Sequence, residues 1–335
     1  MLDLQLVWFL LIGVLLAGYA ILDGFDLGVG MMHLFIARTD RDRRILLNTI
    51  GPVWDGNEVW LLTGGGAIFA AFPKVYATVF SGFYLAIMLL LTALILRAVS
   101  LEFRSKVESP AWRRLWDGAF AFGSFLPAVL FGVAIGNVMR GVPIGSDGEF
   151  AGTFLGLLNP FSLAIGLLST AMFLMQGATW LTLRTDGELR ARAAAVRRGA
   201  WLAFVVLWAS TTFWSRSEAP HLWTNYDGPE TWLAPAVFVL ATALYPLTSG
   251  VRSFVFSSVA IASLIAVMGQ ALHPYMVPSL GNLANSLTIQ NASSSALTLK
   301  VMLTIALIGM PFVIGYTIWI YRGFMHPVVL DEHSY

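Results

Sequence analysis

The sequence predicts an all-α polytopic membrane protein with nine transmembrane helices, and three observations carry that prediction. Hydrophobic residues make up 57% of the 335-residue chain and charged residues only 12%, against about 25% charged in a soluble domain. Mean hydropathy is +0.74. Nine separate stretches reach the roughly 20 apolar residues that a spanning helix needs. Lysine and arginine, finally, fall almost entirely in alternate connections between those stretches.

Taken in order, the predicted helices cover roughly 5–36, 45–72, 76–104, 116–139, 158–185, 198–217, 231–249, 252–273 and 297–323, within one transmembrane domain spanning 1–335. The first, "MLDLQLVWFLLIGVLLAGYAILDGF", lacks a basic leader and an A-x-A cleavage site. Its apolar run also exceeds that of a cleaved signal, so it reads as a span. A basic loop, "ARTDRDRR", turns the chain into the second helix and makes the first two an antiparallel hairpin. Later connections keep the alternation. Fifteen Lys and Arg residues lie on the side of Arg38–Arg44, against Lys74, Arg140, Arg216 and Lys300 on the other. That split places the N-terminus in the periplasm and the C-terminus in the cytoplasm. The long neutral connections on the outer side, "RGVPIGSDGEFAGTFLGLLNP" and "HPYMVPSLGNLANSLTIQNASSSALTLK", are expected to pack on the surface rather than hang free.

Composition also excludes functions. No cysteine is present, which removes disulfides, thiolate metal sites, iron–sulfur clusters and a cysteine nucleophile. A net charge of +1 without a basic–aromatic cluster gives no nucleic-acid partner. The evident partner is the lipid bilayer.

The chemistry concentrates in the first hairpin. Helix one carries Asp23 and Asp26, three apart and so on one face, with His33 two turns further toward the inner side. Helix two carries Asp55 and Glu58 at the same spacing, flanked by Trp54, Asn57 and Trp60. A turn centred near residues 40–41 sets Asp26 level with Asp55 and Asp23 level with Glu58. Four carboxylates at one depth cannot all stay ionised when dry, so they must share protons, bind a cation or pair with an arginine. Arg97 is the arginine within reach, and Asp26 with Asp55 are the candidate metal ligands. The site reads as a proton pathway or cation site opening through His33. A plainer reading makes these acids helix caps at a subunit contact.

Other features are assigned to structure. The five histidines (His33, His221, His273, His326, His333) include no i, i+4 pair in a span, which leaves this chain without a predicted haem. Trp8, Trp180, Trp201, Trp232 and Trp319 fall near span ends, where an interfacial belt is expected. "QGATW" at 176–180 reads as interhelical hydrogen bonding, and "GGG" at 64–66 as close helix packing.

Several long blocks carry a resemblance. "DGFDLGVGM", "WDGNEVWLLTGGGAIFAAFP", "YATVFSGFYLAIMLLL", "FRSKVE", "GSFLPAVLFGVAIGN", "LLNPFSLAIGL", "MQGATWL" and "SLTIQNASSSALTLKVML" together resemble subunit II of bacterial cytochrome bd-type ubiquinol oxidases. The short length is similar to the cyanide-insensitive branch. The resemblance implies two four-helix bundles plus one peripheral helix, in the bacterial cytoplasmic (inner) membrane. It implies a partner, subunit I, carrying two b-type haems, one d-type haem and the quinol site, with quinol and O2 as substrates of the complex. It further implies a structural ubiquinone in this subunit of some members, and a small single-helix accessory subunit. Residues matching Asp26 and Asp55 belong to a polar route in that family. This chain departs from the family pattern at Glu58, where Gln is common. The alternative on the residues alone is a proton- or cation-coupled transporter using the same midplane carboxylates; no internal repeat supports it.

Overall fold

A computed structural model describes residues 3–330; His333 lies outside them. Eleven α-helices appear among the described residues. They are α1 (Leu4–Ile36), α2 (Asp40–Ile50), α3 (Trp54–Ala71), α4 (Pro73–Gly82), α5 (Tyr84–Phe103), α6 (Pro110–Arg140), α7 (Pro160–Arg184), α8 (Gly187–Glu218), α9 (Leu233–Leu244), α10 (Val251–Leu272) and α11 (Ala296–Gly323). Eight are long and apolar enough to cross a membrane, counting the tighter turns flanking α9. A ninth span results if α3 and α4, bent by 119° at Phe72, count as one. The chain is a multi-pass membrane protein.

Two proline signals break what hydropathy joins. The predicted helix 45–72 is interrupted at 51–53, where Pro52 lacks an N–H and crowds the preceding turn. What precedes the break is α2, which starts at Asp40 rather than 45. Its N-terminus is a capping box: Thr39 Oγ1 accepts from Asp42 N, and the Asp42 carboxylate accepts from Thr39 N. Pro73 then opens α4 in the position proline favours, the first turn.

α1 is the axis of the molecule. Every residue from Asp23 to His33 is buried, so this half of the helix has protein on all sides. It packs against α3, α6, α7 and α10. Its approach to α7 needs Gly28 and Gly177: a Cβ on Gly28 would sit 2.1 Å from the Phe173 carbonyl oxygen, and one on Gly177 would sit 2.6 Å from Gly28 Cα. Small residues are how membrane helices come this close.

The connections away from the arginine-rich end fold onto one another, as their composition predicts. Val142 donates to the Pro278 carbonyl and accepts from Leu280 N. Strands β1 (Tyr275–Val277) and β2 (Leu287–Thr288) form a small antiparallel hairpin, and Ser294 N donates to Ala71 O. At the opposite extreme stands α11. Leu299 is its one fully buried residue, and residues 311–316 are exposed on every face.

The tryptophan belt is only partly realised. Trp180 is buried, stacks on Phe25 at 4.3 Å and donates from Nε1 to Thr49 O; Trp8 is buried and donates to Leu299 O. Both indoles satisfy their N–H inside protein, which removes the reason to sit at an interface.

Candidate functional site: a buried acid–arginine cluster

Hairpin geometry brings most, not all, of the predicted carboxylates together. Arg97, rising from α5 and 1% exposed, forks onto Asp23 of α1 through Nη1 (3.0 Å) and Nη2 (2.6 Å). Nη2 also reaches Glu58 Oε1 of α3 at 2.5 Å. One guanidinium thus neutralises two acids in a planar geometry that lysine does not offer. It reaches them because Gly123 of α6 lets α5 approach: a Cβ there would lie 2.8 Å from Arg97 N. Asp23 is fully buried, whereas a quarter of the Glu58 side chain remains exposed. The cluster therefore opens along α3.

Asp26 is also fully buried, but its partner is Asn57, whose Nδ2 donates to Asp26 Oδ2 at 2.8 Å. Asp26 Oδ1 has no partner. The predicted Asp26–Asp55 pairing is not formed. On an α-helix, Asn57 and Asp55 stand about 160° apart, so a register that turns Asn57 onto α1 turns Asp55 away. Asp55 is exposed, and Trp54 and Trp60 are half-buried beside it. Among the described residues no group of three or more His or acidic side chains is arranged to hold a metal ion.

His33 continues the stripe into a second buried cluster that the sequence reading missed. Asp117 of α6 is fully buried; it takes His33 Nε2 (2.5 Å), Arg43 Nη1 (2.7 Å) and Arg104 Nε (2.6 Å). Arg104 passes on to Asp40 at 2.7 Å, and Arg113 joins Asp40 at 3.2 Å. The basic loops are thus tied to one another by the interior Asp117 and the exposed Asp40. Asp117 had a signal, being an acid in the first turns of a span after a basic pair, "RRLWDGAF". Gln176, by contrast, acts as expected, donating to Ser258 Oγ at 3.2 Å across helices.

The sequence profile described as cytochrome bd terminal oxidase subunit II matches residues 4–324. The chain belongs to that family. It is 41% identical to cytochrome bd-I ubiquinol oxidase subunit 2 of Escherichia coli, with 95% of this chain and 93% of the relative covered. Against cytochrome bd ubiquinol oxidase subunit 2 of Bacillus subtilis the identity is 38%, with 99% of both covered. A probable cytochrome oxidase subunit 2 of Haemophilus influenzae is 37% identical. The fold is similar to a chain in the bd oxidase structure from Geobacillus thermodenitrificans, at TM-score 0.74 and 18% identity over 96% of this chain and 99% of that one. This subunit II is therefore a component of a terminal quinol oxidase, an oxidoreductase complex in which a subunit I is its counterpart. The transporter alternative falls away.

Proposed function

We propose that this subunit II holds no haem, stabilises a haem-bearing subunit I, and supplies a proton route from the cytoplasm toward the oxygen-reducing centre in that partner. The observation that carries the route is the pair of fully buried acids, Asp23 and Asp26, whose cluster opens at Glu58 beside the exposed Asp55 on α3. Ionisable groups are not kept inside a membrane protein without use. On this reading Asp55 delivers protons at the face of α3, and His33 with Asp117 forms the cytoplasmic entrance. Asp26 and His33 are about 10 Å apart along α1, a gap that water must bridge. The Lys and Arg asymmetry orients the chain with its arginine-rich end in the cytoplasm and the N-terminus outside, in the bacterial inner membrane.

Histidine geometry supports the haem-free part. His33 commits Nε2 to Asp117, while His273 packs its ring against Phe9. Phe9 and His33 are about 36 Å apart along α1, too far for their neighbourhoods to share one haem. The haems and the quinol chemistry are then subunit I's; a structural ubiquinone and a small accessory helix would be additions to the pair.

In the assembled oxidase, Asp26→Asn and Asp55→Asn are expected to lower turnover roughly tenfold or more with haem content intact. Normal turnover in both sinks the route. Loss of haem assigns the cluster to assembly instead.

A further inference from the structure

Asp26 is held by a chain of contacts that begins on the least embedded helix in the molecule. Tyr321, near the end of α11, donates its hydroxyl to Asn57 Oδ1 at 2.7 Å. Asn57 Nδ2 faces two acceptors, Asp26 Oδ2 at 2.8 Å and the Leu22 carbonyl at 3.4 Å. With a donor on one side and acceptors on the other, the amide has one orientation that satisfies every partner. A flipped amide would set its oxygen against the Leu22 carbonyl and the Asp26 carboxylate, both acceptors, and would take from Tyr321 the oxygen to which its hydroxyl donates. The arrangement occupies Asp26 Oδ2 and leaves Oδ1, buried and without a partner, as the one position where a proton can reside or leave.

Tyr321 is itself placed with some care. Its ring meets Phe25 and Trp180 at 6.3 and 5.9 Å. Two turns earlier, residues 311–316 are exposed on every face. Just beyond, Val328 N donates to Arg184 O at 2.9 Å and Arg184 Nη1 donates to the His326 carbonyl. The end of α11 is thus moored on α7, although the helix above it stands clear.

We propose that Tyr321 is a positioning residue for proton transfer at Asp26: it locks the Asn57 amide so that Oδ1 of Asp26 alone carries and releases the proton. This inference rests on the proposed route through Asp26. The charged and titratable groups that act on Asp26 are Asp23 on α1, Glu58 on α3 and Arg97 on α5, with Tyr321 entering from α11.

The test uses the assembled oxidase, with infrared difference spectra in the carboxylic-acid carbonyl region and the pH profile of turnover as readouts. Asp26→Asn is expected to delete one neutral-carboxyl band. Tyr321→Phe, which keeps the ring contacts, should shift that band, move the pH profile by about half to one unit, and slow turnover roughly threefold to tenfold with haem content unchanged. Asn57→Leu should give the same shift, and the double variant no more than either alone. An unmoved band and pH profile in Tyr321→Phe overturn the proposal, as does an Asp26→Asn variant that loses no band. Should Asp26→Asn turn over normally while Tyr321→Phe still shifts the band, the route fails and the positioning stands.

Discussion

At the scale of single residues, the interior charges of this subunit mostly meet an opposite charge, and Asp26 meets an amide instead. Arg97 answers Asp23 and Glu58; Asp117 answers Arg43, Arg104 and His33. Breaking such a set costs more than the set itself contributes, because the surviving partner keeps its desolvation penalty without compensation. Arg97→Leu should therefore destabilise the subunit by about 3–5 kcal/mol, and Asp117→Asn by a similar amount. Thermal unfolding of the purified complex checks both. A double Arg97→Leu/Asp23→Leu variant should recover part of the loss, since Asp23 is then no longer left buried without its counter-charge. A recovery of nothing would mean that the pair acts through shape rather than charge.

Helix contacts make a second set of commitments. The α1–α7 crossing has no room for a side chain at Gly28, because the obstructing atom is backbone and cannot rotate away. Gly28→Ala should cost about 1–3 kcal/mol as the helices are pushed apart. Gly13→Ala, on the same helix with nothing within 4 Å, should be neutral or slightly stabilising, and comparing the two melting temperatures isolates packing from helix propensity. At the end away from the arginine-rich loops, His221 lies in the connection after α8, where burial pushes its imidazole below the ordinary value of 6.5. The folded connection thus binds a proton less readily than the unfolded one. Its contribution to stability is present above about pH 6.5 and is lost as the pH falls below that value toward the lowered folded one. Protection against hydrogen exchange around residues 220–226, taken relative to the intrinsic rate at each pH, should fall on acidification through that window, and His221→Gln should flatten the response.

For the whole molecule, the proposed orientation and the absence of cysteine give a clean test of topology. Ser146→Cys and Glu188→Cys place single thiols at exposed positions on opposite ends. A membrane-impermeant maleimide added to intact cells should label the first and spare the second; the reverse pattern would invert the subunit in the membrane.

The sequence by itself determined the membrane class, most spans and two of the three fully buried acids among the described residues, Asp23 and Asp26, since each of these follows from local quantities. Apolar run length decides a span, and a carboxylate in an apolar helix is visible wherever it occurs. The hairpin register was legible for Asp23 and Glu58, which share Arg97, and two residues off for Asp26, which meets Asn57 rather than Asp55. What stood in plain view but was outweighed by hydropathy was Pro52, which ends α2 and starts the face of α3 afresh. Only the tertiary structure decided which side of α3 turns inward. That rotation is set by packing against α1, and it exchanges Asp55 for Asn57 as the partner of Asp26. Contacts between residues far apart in the chain, such as His33 with Asp117 and Tyr321 with Asn57, likewise depend on how helices pack across one another. No local property of either segment encodes them.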